Sequence, residues 1–163
     1  MNTQISYLPI GIIKTPFSEI SNMPIQPTGA AKISGIIELN PEFASGLKDL
    51  DGFSHIILLY HLHRITGYKL SVVPFMDDKS HGIFATRSPA RPNPIGISIV
   101  ELLKVEGNRL FIEGVDMLNE TPLLDIKPFF SKFDNRAETR SGWLEEKKLV
   151  DIITVRSDQR FEK

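Results

Sequence analysis

Residues 97–117 read ISIVELLKVEGNRLFIEGVDM. Two runs rich in β-branched and aromatic residues, 97–105 and 109–117, flank Glu106-Gly107-Asn108. A Gly-Asn turn between two such runs is the signature of a β-hairpin. Upstream, residues 53–63 (FSHIILLYHLH) form an almost unbroken apolar run opened by the turn Asp51-Gly52, and the reading is a strand buried on both faces. Residues 5–14 and 30–39 read as two further strands, separated by an irregular loop over 18–29 that carries Pro24 and Pro27. Asn40-Pro41-Glu42 starts a helix, which Gly46 keeps short. Downstream, residues 143–148 read as a short helix and 149–155 (LVDIITV) as a strand. Many strands, short turns and no long amphipathic helix predict an all-β domain, a small barrel or a sandwich.

Composition narrows the class. The chain has 163 residues, enough for one real core. It has no cysteine, so disulfides, thiolate metal sites and a cysteine nucleophile are excluded, and the expected compartment is the cytoplasm. No apolar run reaches the roughly 18 residues of a membrane helix, and no basic segment followed by an apolar one opens the chain. A net charge of -1 argues against bulk electrostatic capture of nucleic acid. Local asymmetry exists, however: between His81 and Ile99 the only formal charges are Arg87 and Arg91.

Those two arginines lie in FATRSPARPNPIG, residues 84–96. Pro89, Pro92 and Pro94 fix φ at three positions and restrict the residue before each, so the segment is neither helix nor central strand. It is a stiff loop that presents Thr86, Arg87, Ser88, Arg91 and Asn93. Rigid presentation suits binding, because the ordering cost is met during folding.

Together with GFSHIILLYHLHR before it and ETPLLDIKPF after it, this motif resembles the TsaA-like (YaeB/TrmO) family over about residues 10–133. The resemblance implies a small antiparallel β-barrel with short helices, spanning 5–135, and a C-terminal extension, 136–163, packed on or near it. It also implies an S-adenosylmethionine-dependent methyltransferase that acts as a homodimer and methylates N6 of threonylcarbamoyladenosine next to the tRNA anticodon. No GxGxxG turn of a Rossmann cofactor site is present. The short form resembled here lacks the further C-terminal domain of many bacterial members.

Carried over residue by residue, the resemblance places the cofactor against Gln26, Pro27 and Thr28, against His63 and Arg64, against Arg87 and Ile97, and against Asn119, Glu120, Thr121 and Pro122. Arg87 has the chemistry for a carboxylate or a phosphate. Arg91 and Lys127 are expected to face the substrate. The family's usual Asp-Gly stands here as Asn119-Glu120, which removes the glycine that reaches positive φ without strain. Methyl transfer is an in-line displacement that needs neither an enzyme nucleophile nor a metal, only alignment at about 3–3.5 Å. The accepting nitrogen is conjugated to a carbamoyl group, so a base should assist, and His63 or Asp125 is the expected one. Two other activities stay open from the residues: methylation of a small molecule or another nucleoside, and S-adenosylmethionine binding without chemistry.

Overall fold

The structure is a computed structural model that describes residues 4–21, 23–25, 27–30, 32–145, 147 and 154–158. Its strands are β1 (Gly11–Lys14), β2 (Ser34–Leu39), β3 (His55–His61), β4 (Ser71–Val72), β5 (His81–Gly82), β6 (Ile95–Glu106), β7 (Arg109–Glu113) and β8 (Thr121–Pro128). Six of them close an antiparallel barrel in the order β1-β2-β7-β6-β3-β8, while β4 and β5 form a separate two-stranded ribbon.

The predicted hairpin is β6–β7, with Gly107 at φ +62° in its two-residue loop. The first two strands are shorter than predicted: 5–10 are not strand, and Pro27–Ala30 is a 3-10 turn. The helix begun at Pro41 is also 3-10, Pro41–Leu47, and so is Gly142–Leu144 where a short helix was expected. Most of the strand predicted over 149–155 lies outside the described residues.

The strand over 53–63 corrects the expectation of two buried faces. In β3, Ile56, Leu58 and Tyr60 are buried, whereas Ile57 and Leu59 are only partly covered. A barrel strand has one interior face, so its outward aliphatics stay at the surface. They meet Ile99 and Ile97 across the β6 ladder, and Ile95 extends the same face.

Register shifts opposite Leu59/Tyr60 and at Leu102/Lys104 mark bulges at Leu124 of β8 and Leu103 of β6. Such irregularities bend a strand and sharpen its twist, which is how a small sheet turns back onto itself. Pro122 and Pro128 sit near the two ends of β8, where a missing N–H costs the ladder least.

Inside, Ile13, Ile37, Ile56, Leu58, Val100, Leu110, Ile112 and Leu123 fill the barrel. One close approach organises its upper wall. Tyr60 is the ladder partner of Gly96, and a Cβ on Gly96 would fall 2.2 Å from the Tyr60 ring. Glycine therefore lets the ring lie across β6. Gly96→Ala should destabilise the fold by about 1–3 kcal/mol through overpacking, read as a lower urea midpoint with an unchanged m-value.

Candidate active site

Strand pairing gathers Lys14, Ser34, His61, Ile95, Glu113 and Thr121 at one end of the barrel. Glu113 pairs with Glu101, so residues 95–100 of β6 run past the end of β7. The chain leaving β7 crosses that gap. All the buried polar side chains of the described residues, Thr86, Ser88, Ser98 and Thr121, are at this end, which is a polar mouth on an apolar barrel.

The proline loop lies against the mouth and holds its own shape. Arg91 Nη1 donates to the carbonyls of Thr86 (2.9 Å) and Ile83 (3.3 Å). Thr86 Oγ1 donates to the Ile83 carbonyl and accepts from the Ser88 N–H. The Leu62 N–H donates to the Pro94 carbonyl at 2.8 Å, which ties the loop to the end of β3. From the C-terminal side, Trp143 Nε1 donates to the Ala85 carbonyl at 2.8 Å, and its ring stacks on His81 at 4.5 Å. His81 in turn bonds Asp77 at 2.9 Å and is the main reason that the Asp77 carboxyl is held far below the usual carboxylate range. Arg87 is left exposed at the crest of this braced loop.

Behind the loop runs a chain of hydroxyls. Ser98 Oγ donates to Asp116 Oδ1 at 2.6 Å, and Tyr60 Oη lies 2.9 Å from Ser98 Oγ. A serine hydroxyl has one proton, already given to Asp116, so Tyr60 is the donor to Ser98. Tyr60 and Ser98 are buried, while Asp116 is partly open. Burial pushes the Asp116 carboxyl up to about 6, against the opposing pull of the Ser98 bond and of the Arg87 charge. Burial likewise raises Tyr60, which stays protonated.

Sequence reasoning missed Asp116, Ser98 and Tyr60. The alternation gave no signal: β7 ends at Glu113, and beyond it Val115 and Met117, the neighbours of Asp116, are the residues that pack in the core.

The predicted residues distribute as follows. His63 and Arg64 follow β3 at the mouth. His63 is partly buried, and burial, then the nearby Arg64 and His61, lower its pKa and favour the neutral ring. Asn119, Glu120, Thr121 and Pro122 enter β8 at the same rim. Asn119 Oδ1 accepts the Thr15 N–H at 3.0 Å, and Thr121 Oγ1 donates to the Leu118 carbonyl at 2.7 Å. Glu120 takes φ +62° despite its side chain, which pairs with Lys14 at 2.5 Å. Ile97 points to the outer face beside Leu59. Arg91, expected to face substrate, makes its hydrogen bonds to its own loop. Asp125 and Lys127 pair with each other at 2.8 Å on the outside of β8, whereas Asp116 feels the Arg87 charge. Pro27 and Thr28 belong to the 3-10 turn, which lies against β6, and Gln26 is outside the described residues. Among the described residues no group of three or more His, Asp or Glu could hold a metal ion.

A closed barrel with a rigid, arginine-bearing loop against a polar mouth defines an all-β domain with its candidate site at one barrel end and no Rossmann sheet. The chain matches the tRNA-methyltransferase O N-terminal domain over residues 12–135 and belongs to that family. It is 54% identical over 157 residues to a probable S-adenosyl-L-methionine-binding protein of Pyrococcus abyssi, covering 96% of this chain and 85% of that one. It is 38% identical to the rat tRNA (adenine(37)-N6)-methyltransferase over 136 residues, 78% of this chain but 31% of the rat protein. The solved structure of TrmO from Pseudomonas aeruginosa superposes with a TM-score of 0.73 at 37% identity, across 86% of this chain and 63% of the TrmO chain.

The raised Asp116 pKa has a consequence for stability. Ionisation is harder in the folded state than in the unfolded chain, so this group penalises folding above its folded pKa of about 6 and not below the unfolded value near 4. Asp116→Asn should therefore be more stable than wild type at pH 7.5, by on the order of 2 kcal/mol, with the difference gone near pH 4. Urea unfolding at the two pH values measures it.

Proposed function

We propose that the chain transfers a methyl group from S-adenosylmethionine to N6 of threonylcarbamoyladenosine in tRNA, as a cytoplasmic homodimer. One observation carries the reading: the proline loop holds the exposed Arg87 guanidinium at a mouth whose buried Ser88 Oγ has no hydrogen-bond partner. An orphaned buried hydroxyl costs on the order of 1–3 kcal/mol unless something polar meets it. An amino-acid head group fits this pair, with the carboxylate on Arg87 and a polar atom on Ser88. His63, Arg64, the 27–28 turn, Ile97 and residues 119–122 would hold the rest of the molecule.

When bound, S-adenosylmethionine supplies a methyl group on a positively charged sulfur. The chain's own part is to hold and orient. Arg87 anchors the head group, and the braced loop keeps that anchor fixed. The apolar barrel beneath the mouth keeps water out from below. Neutral His63 leaves a ring nitrogen free to accept a hydrogen bond at the rim.

The dimer is supported by the outer face of β3 and β6. Ile95, Ile97 and Ile99 are 42–49% exposed there, and Ile57 and Leu59 lie beside them. A contiguous aliphatic face of this kind on a soluble domain marks a contact surface. Ile97 links the face to the mouth, so a second copy seated there would also help enclose the cofactor. No helix of the described residues is long and apolar enough to cross a membrane.

The deciding experiment incubates the protein and labelled S-adenosylmethionine with tRNA from cells able and unable to make threonylcarbamoyladenosine. Label confined to the modified tRNA is the expected result. Label only on a free metabolite, or cofactor binding with no transfer, would select the other two activities. Arg87→Ala should weaken cofactor binding about tenfold or more in calorimetry, as expected for a lost charge-assisted bond. Ile97→Glu together with Ile99→Glu should turn a sedimenting dimer into a monomer.

A further inference from the structure

The proposed transfer leaves one proton without an assigned destination. As the acceptor nitrogen's lone pair forms the bond to the methyl carbon, the methyl–sulfur pair returns to sulfur. The sulfonium becomes a neutral thioether, and the nitrogen must lose its hydrogen as H⁺. No oxidant, reductant or further reactant is needed, only a base within reach of the mouth.

Glu113 also reaches this end, but out of phase with the interior residues of β7 and opposite Glu101, which leaves three carboxylates to compete for that role. Asp125 lies on the outside of β8 in an ion pair with Lys127. Glu120 is exposed and paired with Lys14. Asp116 alone joins the interior of the barrel to its rim. It is partly open, and its Oδ1 accepts from Ser98 at 2.6 Å, with the buried Tyr60 hydroxyl 2.9 Å behind Ser98. The arrangement depends on Gly96, whose missing side chain makes room for the Tyr60 ring. A partly buried carboxylate with two hydroxyls in series is costly scaffolding if its task is only to hold a loop, because an asparagine would accept the same Ser98 bond without a charge.

Resting on the function proposed above, we infer that Asp116 is the proton acceptor of the methyl transfer, with Ser98 and Tyr60 as the residues that position it. The carboxylate takes the nitrogen's hydrogen as the methyl arrives and later releases it to water. The hydroxyl chain fixes the carboxylate's direction and stabilises its charged form. The charged and titratable groups that face it are the Arg87 guanidinium from the proline loop and the Tyr60 phenol from β3. An acceptor that titrates near neutrality matches the driving force general-base catalysis requires.

The test is single-turnover methylation of modified tRNA at saturating cofactor, across pH 5 to 8, for wild type, Asp116→Asn and Ser98→Ala. Asp116→Asn should lose about a hundredfold or more in rate, while its calorimetric affinity for S-adenosylmethionine stays within about threefold. The wild-type rate should rise with pH through a limb near 6, and that limb should vanish in the asparagine variant. Ser98→Ala keeps the carboxylate but removes a bond to its charged form, so its limb should move to higher pH. It carries the test if Asp116→Asn does not fold. Independently of activity, carboxyl NMR of the labelled wild-type protein should show Asp116 titrating near pH 6, and near pH 4 would overturn the assignment. A full rate in Asp116→Asn, or an unmoved limb in Ser98→Ala, would also overturn it. So would loss of S-adenosylmethionine affinity with S-adenosylhomocysteine affinity kept, which would make Asp116 a counter-ion for the sulfonium. Wild type that labels no tRNA counts against the function proposed above, and the NMR titration still decides whether Asp116 is poised as a base.

Discussion

Closure of β8 onto both β1 and β3 is the constraint on which the rest depends. An open six-stranded sheet of these lengths would leave two unpaired edges and one uncovered apolar face. Closing the sheet removes the edges and gives every strand one interior side. It also fixes the candidate site, because the segments proposed to bind are connections at the same end of the barrel. The proline loop enters β6, residues 62–64 leave β3, and residues 114–120 join β7 to β8. None of these segments needs to find the others by itself.

Polarity along the barrel axis follows from the same geometry. Deep positions on every strand are aliphatic, and no polar side chain interrupts them until Tyr60, Ser98 and Thr121 near the mouth. The Tyr60 ring serves both regimes. Its face packs over Gly96, and its hydroxyl begins the chain that ends on the Asp116 carboxylate. Arg91 and Arg87 divide the work of the proline loop in a related way. One guanidinium bonds inward to carbonyls and stiffens the loop, and the other belongs to an exposed residue of the same loop.

Strain is tolerated where an ion pair offsets it. Glu120 adopts a left-handed backbone at the entrance to β8, a conformation that costs an ordinary residue roughly 1–2 kcal/mol. Its pairing with Lys14 across the β1–β8 seam returns part of that cost. The loop keeps the backbone path a glycine would take, with a carboxylate added at the rim.

The sequence by itself determined the hairpin, the proline loop and the all-β class, because each is written in local chemistry: turn residues, fixed φ angles, β-branched runs. It also drew attention to Arg87 and Arg91, since two cations in a rigid segment are visible without coordinates. It misjudged what depends on neighbours. The run over 53–63 looked buried on both sides, and only barrel curvature shows that Ile57 and Leu59 face outward. Asp125 looked as useful as any acid, until the register of β8 placed it outside beside Lys127. Asp116 drew no attention because its partner Ser98 is 18 positions away, and Tyr60, which bonds Ser98, is 38 positions from that serine. Hydrogen bonds between residues so distant in the chain exist only once the barrel closes, so only the tertiary structure could decide them.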